Sequence, residues 1–558
     1  MHFNVMATKS ILIKCCGYPT SLRTFFPDNG LSNLASCLIE KGHKTIIFDF
    51  ATVDMIEKMF PYPYRKEIEN INNRFTEYKN KNLNIDKSIL DDAHKLNSEI
   101  EHYQENKIRS ITQDIIKYIK LNNIDFVGIK LITGSGFKSS LIIAEELKKN
   151  IPSLPIFAGG PHVDWFMEKI YDVTDVFDVL AYGEGEEIIT MLADYVEGKK
   201  KLEEIPNIIY RENGKIIVNP IKRIVDLNSI PYPVYDENVY PAMKDNQKLK
   251  MVMIDESRGC PNSCNFCIHP QKSGRKWRTT SPERIVNIIE HIIEQTGSRI
   301  FRFAGSNPPP YIRREIAEEI LKRKLKIEYV AFAHIRGIVK EEMELVKKSG
   351  CYVLAFGVES GSQRILDESI NKRISIEQIK NSIRICKKSG IHITVTMIIP
   401  APGETEQTKQ ESLTLLLELN PDSTAIFSPG LILNTEWDRN RTKYGFQIED
   451  DKRFFKKAMF YDSNPFLHYS FWEPLDEYKL DNKILIEIIR ETNEFSKKLE
   501  SFGYLTQLLD EEILVSKYSG ISPRELRDKT RLYISKGDLE NLVLLIKTIN
   551  KNITEIHK

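Results

Sequence analysis

The sequence predicts an α/β protein made of two successive strand–helix domains followed by a helical C-terminal domain. Short apolar runs alternate with amphipathic helical segments before residue 204, and the alternation resumes at Lys250. A proline-containing stretch separates the two series. With 558 residues, the chain is also too long for one ordinary domain.

Composition and charge are those of an ordinary globular protein. Hydrophobic residues make up 41% and charged residues 28%, and 79 Lys and Arg face 78 Asp and Glu. This balance gives no electrostatic reason to expect a nucleic-acid partner. No stretch approaches the roughly 20 apolar residues that span a bilayer, and the first residues lack the pattern of a secretory signal. We therefore expect a cytoplasmic protein without a membrane span.

The first series of strands predicts a parallel sheet with helices on both faces. Buried strands are expected at 10–14, 45–49, 126–132, 156–158 and 179–182, with helices at 31–41 and 139–149. A highly charged segment, about residues 55–120, lies between the second and third strands. We expect it to be a mainly helical insertion.

Three strand-to-helix loops of this sheet are rich in small residues. Ligands bind beyond the carboxyl ends of parallel strands, and small residues let backbone N–H groups approach a ligand. Three such loops on successive strands predict a ligand site, although sharp turns alone also require glycine. The loops contain Thr133, Gly134, Ser135 and Gly136; Gly159, Gly160, Pro161 and His162; and Tyr182, Gly183, Glu184 and Gly185.

The second series predicts an open or partial barrel of about six strand–helix units. Strands are expected at 251–254, 300–303, 329–333, 352–356, 392–399 and 423–427, with helical patterns between them. We divide the chain into a first domain (1–204), an extended linker (205–249), the barrel (250–445) and a helical C-terminal domain (446–558).

One group among the eight cysteines requires a chemical explanation. Cys260, Cys264 and Cys267 follow the first strand of the second domain with the spacing Cys-x3-Cys-x2-Cys. Three thiolates on one loop can ligate three irons of a cubane cluster and leave the fourth iron open. Zinc with His269 as a fourth ligand is the alternative. A disulfide fits neither the odd count nor an intracellular chain, and we expect the five scattered cysteines to be buried.

This loop resembles the signature of the radical S-adenosylmethionine (SAM) superfamily, Cys-x3-Cys-x-aromatic-Cys after the first barrel strand. Cys260, Cys264, Phe266 and Cys267 match it position by position. The resemblance implies a [4Fe–4S] cluster whose open iron binds the amino and carboxylate groups of SAM. It also implies reductive cleavage of SAM to a deoxyadenosyl radical, Phe266 near the adenine, and an external electron donor such as flavodoxin or ferredoxin.

Two further segments resemble parts of the same family's SAM site. Glu359, in Gly-Val-Glu-Ser-Gly, matches the acidic residue after the fourth strand that helps hold the cofactor. Pro402, Gly403 and Glu404 match the turn after the fifth strand that borders the adenine. The alternatives are an ordinary loop-end carboxylate and a plain turn that starts the next helix.

Other candidate SAM contacts follow the second and third barrel strands. Ser306 and Asn307 occupy the place where many family members carry acidic residues that bind the amino group. A hydroxyl or an amide can still accept a hydrogen bond there. His334 and Arg336 follow the third strand, and we expect them to meet the carboxylate of the cofactor or the substrate.

The order of domains resembles the cobalamin-binding branch of this superfamily. The resemblance covers about residues 1–445 and includes the Lys-Gly-His end of the first helix (41–43) and the two later glycine loops. It implies a Rossmann-like cobalamin-binding domain, a partial (β/α)6 TIM-type radical SAM barrel and a helical C-terminal domain. The three small-residue loops would line the corrinoid and its nucleotide tail.

One common cobalamin signature, Asp-x-His-x-x-Gly after the first strand, is absent. The chain has Cys15-Cys16-Gly17-Tyr18-Pro19 there. The lower face of the cobalt is therefore expected to have no histidine ligand. Cys15 or Cys16 as a cobalt ligand is the alternative to buried structural thiols.

The resemblance implies three functional hypotheses. The first is a cobalamin-dependent methyltransferase that acts on an unactivated carbon of a small-molecule or natural-product substrate. The second keeps the cofactors but ends in cyclisation, rearrangement or oxidation, and the third is a cobalamin or iron–sulfur sensor or electron carrier. Trp437, Phe471 and Trp472 are candidate substrate-lining residues, with a place in the core as the alternative.

Overall fold

Seven strands form the first sheet. They are β1 (Lys9–Lys14), β2 (Lys44–Asp49), β3 (Phe126–Lys130), β4 (Ile156–Gly159), β5 (Val179–Ala181), β6 (Ile208–Glu212) and β7 (Lys215–Val218). In this computed structural model, which describes residues 7–81, 86–462, 464–472 and 475–555, the spatial order is β2-β1-β3-β4-β5-β6-β7. The pairings among β1–β5 are parallel, and β6 and β7 are antiparallel.

The helices of this domain cover both faces of the sheet. They are α1 (Asn29–Glu40), α2 (Met55–Met59), α3 (Arg65–Asn80), α4 (Lys87–Asn122), α5 (Ser135–Asn150), α6 (Pro161–Phe166) and α7 (Glu186–Val196). The charged segment is helical as predicted, with residues 82–85 outside the described part. It carries the chain from edge strand β2 past β1 to β3. Ile108, Ile115 and Ile119 of α4 share a core with Val127 and Ile129 of β3, so α4 is a crossover helix of the sheet.

The stretch predicted to be an extended linker, 205–249, begins instead with a hairpin. β6 pairs with β5, and the two-residue Asn213-Gly214 connection to β7 has positive φ values of 51° and 76°. Asn-Gly between apolar runs is a strong hairpin signal that the proline content of this stretch concealed. Ile208 and Ile209 are buried, so the hairpin extends the first sheet.

Six parallel strands form the second sheet, and their order confirms the predicted partial barrel. The order β15-β14-β13-β12-β11-β8 leaves β8 and β15 as its two edges. The strands of this region are β8 (Met251–Ile254), β9 (Ser257–Arg258), β10 (Arg278–Thr279), β11 (Ile300–Phe303), β12 (Glu328–Ala333), β13 (Cys351–Glu359), β14 (His392–Ile398) and β15 (Ser423–Phe427). β9 and β10 form a separate antiparallel pair.

Helices alternate with these strands. They are α8 (His269–Lys272), α9 (Pro282–Thr296), α10 (Pro310–Lys322), α11 (Lys340–Lys348), α12 (Ile376–Lys388) and α13 (Glu406–Leu419), with a π-helical turn at Ile365–Ile370. Ala331 and Leu354 of the strands share a core with Ile316 of α10, which places these helices on the outer face.

The C-terminal region is mostly helical, as predicted, with a small antiparallel sheet that was not predicted. Its elements are α14 (Glu436–Arg439), β16 (Phe446–Ile448), α15 (Asp451–Phe460), β17 (Tyr478–Leu480), β18 (Lys483–Ile484), α16 (Leu485–Ser501), α17 (Asp510–Ser519), α18 (Pro523–Lys536) and α19 (Leu539–Glu555). α17 packs against β12 and β13, and its Leu514 shares a core with Val330 and Val353. Because alternate strand residues face opposite sides, α17 covers the inner face of the barrel. None of the described helices is both long and apolar enough to cross a bilayer.

A buried ion pair ties the first sheet to the start of the barrel. Lys248 Nζ lies 2.6 Å from Asp49 Oδ2 at the end of β2, and the two side chains are 1% and 0% exposed. Tyr240 also donates a hydrogen bond to this carboxylate. Burial alone would raise the pKa of Asp49, but Lys14 and Lys248 together hold it below the usual range.

We expect Lys248→Met to lower the free energy of unfolding by about 3–5 kcal/mol, because it removes one partner of a buried ion pair. The loss is measured by urea denaturation followed by circular dichroism. Lys244→Met, at an exposed position four residues earlier, should change the value by less than about 0.5 kcal/mol. Equal losses for the two variants would contradict a stabilising role of the Lys248–Asp49 pair.

Candidate active site

The three clustered cysteines lie in the loop between β9 and α8, beyond the carboxyl end of β8. The Cys260 N–H donates to Gly274 O at 2.9 Å, which closes this loop on itself. Gly259 has a φ of 91°, and a Cβ there would lie 2.1 Å from Lys276 O. Only glycine therefore fits before Cys260, and it fixes the approach of the chain to the first cysteine.

A second set of contacts joins the cysteine loop to residues that come later in the chain. Asn265 Nδ2 donates to Ser369 O at 2.9 Å and to Tyr444 Oη at 3.0 Å. Trp437 donates its indole N–H to the same Ser369 carbonyl at 2.9 Å, and its ring lies 5.7 Å from that of Phe266. Phe266 is thus backed by Trp437, and the cysteine loop is held on two sides.

The chemistry of the three thiols fits a cluster better than a single ion. All three are free cysteines of one short loop. In the described part of the chain, no three His, Cys, Asp or Glu side chains are placed to hold one metal ion. A cubane binds its three thiolates through three different irons, so these need not converge on one point. His269 Nδ1 lies 3.0 Å from Ser306 Oγ. Zinc is disfavoured because His269 and the three cysteines do not converge on one point among the described residues.

The loop after β11 lies directly against the cysteine loop. Asn307 Nδ2 donates to Cys260 Sγ at 3.4 Å, and the Asn307 carbonyl accepts the indole N–H of Trp277 at 2.7 Å. Together with the Ser306–His269 contact, these bonds place Ser306 and Asn307 beside the cysteines.

Glu359 ends β13 and is buried in an ion pair with Lys372. Lys372 Nζ lies 2.9 Å from Glu359 Oε1, and this lysine also acts electrostatically on Cys264 and Cys267. Burial alone would lower the pKa of Lys372, but Glu359 and Cys264 raise it. Lys372 therefore links Glu359 to the cysteine loop. The sequence did not predict this lysine, because the segment Asn-Lys-Arg matches no known motif.

His334 and Arg336 also reach this region. Arg336 Nη2 donates to Oδ1 of Asn262, within the cysteine loop, at 2.6 Å. His334 Nδ1 accepts the Arg336 backbone N–H at 3.2 Å, while Nε2 is buried with no hydrogen-bond partner among the described residues. Burial and the nearby Lys372 lower the pKa of His334 to about 3, so its ring is neutral.

The Pro402-Gly403-Glu404 turn lies farther along the barrel mouth. Arg364 donates to Gly403 O at 2.9 Å, and the Gly403 N–H donates to Asp481 at 3.0 Å. Glu404 Oε2 accepts the Ala401 N–H at 2.8 Å, whereas Oε1 is buried and unpartnered in the described structure. Because Arg364 belongs to the segment that follows Glu359, this turn lies next to that segment.

A cavity of about 330 Å³ lies between the first sheet and the cysteine loop, and we call it the interdomain cleft. One end is lined by Ser257, Arg258, His269 and Ser306. The walls include seven of the twelve residues predicted at the small-residue loops. These are Gly159, Gly160, Pro161, Tyr182, Gly183, Glu184 and Gly185.

The deep end of the interdomain cleft is apolar and reaches into the first sheet between α1 and α7. Leu12, Leu34 and Leu192 line it together with Gly128 in the middle of β3. A Cβ on Gly128 would lie 2.8 Å from Leu12 Cδ2 and 4.0 Å from Ile189 Cδ1. A glycine inside an apolar strand marks a close approach by another group. Gly128 was not predicted as a site residue, although its place inside the strand Phe-Val-Gly-Ile-Lys is the signal that could have indicated it.

The remaining five predicted residues do not line the cleft. His162 is fully buried and stacks on Phe137 at 4.2 Å, and burial lowers its pKa to about 3. A Cβ on Gly136 would lie 2.2 Å from Ile132, so this glycine serves a sharp strand-to-helix turn. The Ser135 N–H donates to Asp462 at 2.9 Å, which directs the loop containing Thr133 and Gly134 away from the cleft.

Three ion pairs cross from the first domain to the segment around the cysteine loop. Lys272 meets Asp164 at 2.7 Å, Arg278 meets Glu184 at 2.6 Å, and Arg258 meets Glu186. All three acids belong to the loops and helices after β4 and β5, and all three bases flank the cysteines. These pairs hold the two sides of the interdomain cleft together.

The other residues predicted as cobalt ligands or substrate contacts lie in the core or line a different cavity. Cys15 is 1% exposed, and the Cys16 thiol donates to Gly17 O at 3.4 Å, so neither lines the interdomain cleft. Trp437 and Phe471 are buried in the core. Trp472 lines a second cavity of about 430 Å³ among α4, α5 and residues 453–475.

Family models match both halves of this arrangement. Residues 256–416 match the radical SAM superfamily, and residues 84–193 match the B12-binding domain. The chain belongs to the cobalamin-binding radical SAM enzymes. Its cofactors are accordingly a [4Fe–4S] cluster, SAM and cobalamin.

Curated relatives of this enzyme include methyltransferases and a cyclase. An uncharacterized methyltransferase of Pyrococcus horikoshii is 29% identical over 315 residues, 55% of this chain and 67% of its own length. The anaerobic magnesium-protoporphyrin IX monomethyl ester cyclase of Rubrivivax gelatinosus is 27% identical over 320 residues, covering 55% and 56%. The cytidylyl-2-hydroxyethylphosphonate methyltransferase of Streptomyces wedmorensis is 24% identical over 376 residues, covering 60% and 69%. The matched regions thus span about half to two thirds of these proteins.

Two solved structures share the fold. The cobalamin-dependent SAM radical enzyme OxsB with aqua-cobalamin bound has a TM-score of 0.62 at 15% identity and covers 97% of this chain and 73% of its own. The radical SAM methyltransferase TsrM from Kitasatospora setae, with cobalamin and a [4Fe–4S] cluster bound, has a TM-score of 0.63 at 13% identity, covering 96% and 100%. The α/β fold, with its B12-binding domain before the barrel, is confirmed.

Proposed function

We propose that this enzyme is a cobalamin-dependent methyltransferase that acts on an unactivated carbon of a small-molecule or natural-product substrate. The main support is the interdomain cleft, which runs from the apolar interior of the B12-binding sheet to residues that touch the cysteine loop. A methyl donor in the first domain and a radical source in the barrel would face each other there. Two of the relatives described above are named methyltransferases.

In the barrel, we propose that Cys260, Cys264 and Cys267 hold the [4Fe–4S] cluster. Phe266, kept in place by Trp437, offers an apolar face for the adenine of SAM. The further proposed SAM contacts lie at or just after the carboxyl ends of the other barrel strands. They are Ser306, Asn307, His334, Arg336, Glu359, Pro402, Gly403 and Glu404, and we add Lys372 because of its buried position between Glu359 and the cysteines.

In the first domain, we propose that the apolar deep end of the cleft takes the nucleotide tail of cobalamin. Gly128 leaves the room for it, and Leu12, Leu34 and Leu192 supply the apolar walls. The loops Gly159–Pro161 and Tyr182–Gly185 present backbone groups to the corrinoid, with Glu184 fixed by Arg278. Thr133, Gly134, Ser135, Gly136 and His162 have a supporting role behind this wall.

When bound, the cluster, SAM and cobalamin supply radical formation and the methyl group. The residues of this chain bind and orient these groups and exclude water, so a dedicated general base is not required. The Lys372–Glu359 ion pair fits this view because it holds the lysine proton, and the lowered pKa of His334 makes its ring a weak base.

A cyclase or another reaction without methyl transfer is the second candidate. The observation in its favour is the relative from Rubrivivax gelatinosus, whose name describes a cyclase. The cofactor arrangement suits either reaction, so the mass of the product separates them. A sensor or electron carrier has less support, since His334 Nε2 and Glu404 Oε1 form unsatisfied polar positions suited to a bound cofactor.

We propose domain limits of 1–204, 250–445 and 446–558, with the linker 205–249 contributing its hairpin to the first sheet. We further propose a small-molecule substrate, no nucleic-acid partner, and an electron donor such as flavodoxin or ferredoxin. The five cysteines outside the cluster loop are scattered, so an external donor must reduce the cluster. Eight free cysteines are the support for a cytoplasmic location.

The proposed reaction is tested by incubating the reduced holoenzyme with a metabolite extract and SAM that carries a trideuterated methyl group. We expect a product heavier by one labelled methyl group, together with deoxyadenosine, as measured by mass spectrometry. The Cys264→Ser variant should give neither, and Cys351→Ser, in the barrel core, should give both. Deoxyadenosine with an unlabelled product would contradict methyl transfer and favour the second candidate.

Gly128→Val should abolish cobalamin binding, because its side chain would fill the deep end of the cleft. The measurement is the corrinoid retained per chain after gel filtration. Gly430→Ala is the matched control, since a Cβ there meets no atom within 4 Å. Full retention of corrinoid by a folded Gly128→Val protein would show that the tail does not enter between Leu12 and Ile189.

A further inference from the structure

A buried carboxylate at the barrel mouth has no partner for one of its oxygens. Glu256 lies between β8 and β9 and is 2% exposed. Its Oε2 accepts the Gly305 N–H at 2.9 Å. Its Oε1 is buried, and no group in the described ranges donates a hydrogen bond to it. Such an oxygen is costly unless a ligand satisfies it.

The loop after β11 donates a hydrogen bond to Glu256 and also contacts the first cysteine. Gly305 immediately precedes Ser306 and Asn307, and Asn307 donates to Cys260 Sγ at 3.4 Å. A Cβ on Gly305 would lie 2.5 Å from Glu256 Oε1 and 2.4 Å from Ser257 Oγ. Ser257 Oγ is also buried without a partner in the described structure. Two unsatisfied oxygens therefore converge beside the cysteine loop.

Arg302, the cation that acts electrostatically on Glu256, is already paired with two other carboxylates. Arg302 on β11 acts electrostatically on Glu256, but its guanidinium bonds to the start of α17. Arg302 Nε lies 3.2 Å from Asp510 Oδ2 and 3.3 Å from Glu511 Oε2. The carboxylate of Glu256 thus lacks a dedicated counter-ion, and a cationic hydrogen-bond donor would satisfy its free oxygen.

We propose that Glu256 binds the α-ammonium group of SAM. This proposal rests on the SAM site proposed above and names the contact that Ser306 and Asn307 left open. Those two residues carry no charge, whereas a carboxylate from the neighbouring strand end supplies a charge-assisted hydrogen bond. Gly305 keeps the approach to Glu256 Oε1 free of a side chain. Glu256 is therefore a binding residue contributed by the first barrel strand rather than the second.

The test compares two ligands on the cluster-loaded protein without reductant. Equilibrium dialysis measures the affinity for SAM and for the analogue in which hydrogen replaces the amino group. Glu256→Gln keeps the shape but removes the charge, and we expect a loss of about tenfold to a hundredfold in SAM affinity. The affinity for the deaminated analogue should stay within about twofold, since that ligand cannot make the contact.

Two further variants complete the experiment. Gly305→Ala places a methyl group against Glu256 Oε1 and should weaken SAM binding while the carboxylate remains. Glu197→Gln, a buried carboxylate at the end of α7, should leave both affinities unchanged. Equal losses for SAM and the analogue, or unchanged SAM affinity in Glu256→Gln, would overturn the proposal. If the unmodified protein binds SAM but transfers no methyl group, the result counts against the proposed function and not against the Glu256 contact.

Discussion

The site depends on charge pairs that join the B12-binding domain to the flanks of the cysteine loop. Asp164, Glu184 and Glu186 on one side meet Lys272, Arg278 and Arg258 on the other. Buried and half-buried pairs of this kind add little net stability, but they penalise any arrangement in which a charge loses its partner. They therefore set how the carboxyl edge of the first sheet faces the barrel. The width of the interdomain cleft follows from this constraint.

Ion pairing also explains why a C-terminal helix, α17, fills the inside of the barrel. α17 brings Asp510 and Glu511 to Arg302 on the inner face of the barrel and buries Leu514 beside the strands. This leaves Arg302 unable to neutralise Glu256. Next to the cysteines, Glu256 Oε1 and Ser257 Oγ have no hydrogen-bond partner among the described residues. Unpartnered oxygens at this place are what a pre-organised ligand site requires.

Sequence reasoning was most successful where the pattern is local. Strand–helix alternation predicted both sheets, and the spacing of Cys260, Cys264 and Cys267 indicated the cluster chemistry. It failed where proline content outweighed the Asn213-Gly214 turn, and the hairpin of β6 and β7 was taken for a linker. The crossover role of α4 was also missed, because the high charge of this segment suggested a helical insertion into the sheet domain.

Site residues that depend on distant partners could not be predicted. Lys372 and Glu256 belong to no motif, and their meaning appears only when β13 and the loop after β11 are brought to the barrel mouth. Glycine was ambiguous for a physical reason. Gly128 makes room beside Leu12, whereas Gly136 merely permits a turn against Ile132, and the two look alike in sequence. Glu184 lines the cleft as expected, but its partner Arg278 lies 94 residues away.

We propose that one chain holds a cluster and a corrinoid on the two sides of the interdomain cleft. The test is anaerobic reconstitution with iron, sulfide and cobalamin, followed by ultraviolet–visible spectroscopy and metal analysis of the gel-filtered protein. We expect one cluster and one corrinoid per chain. A full complement of cluster without bound corrinoid would contradict this proposal, because the cleft would then have to accommodate another ligand.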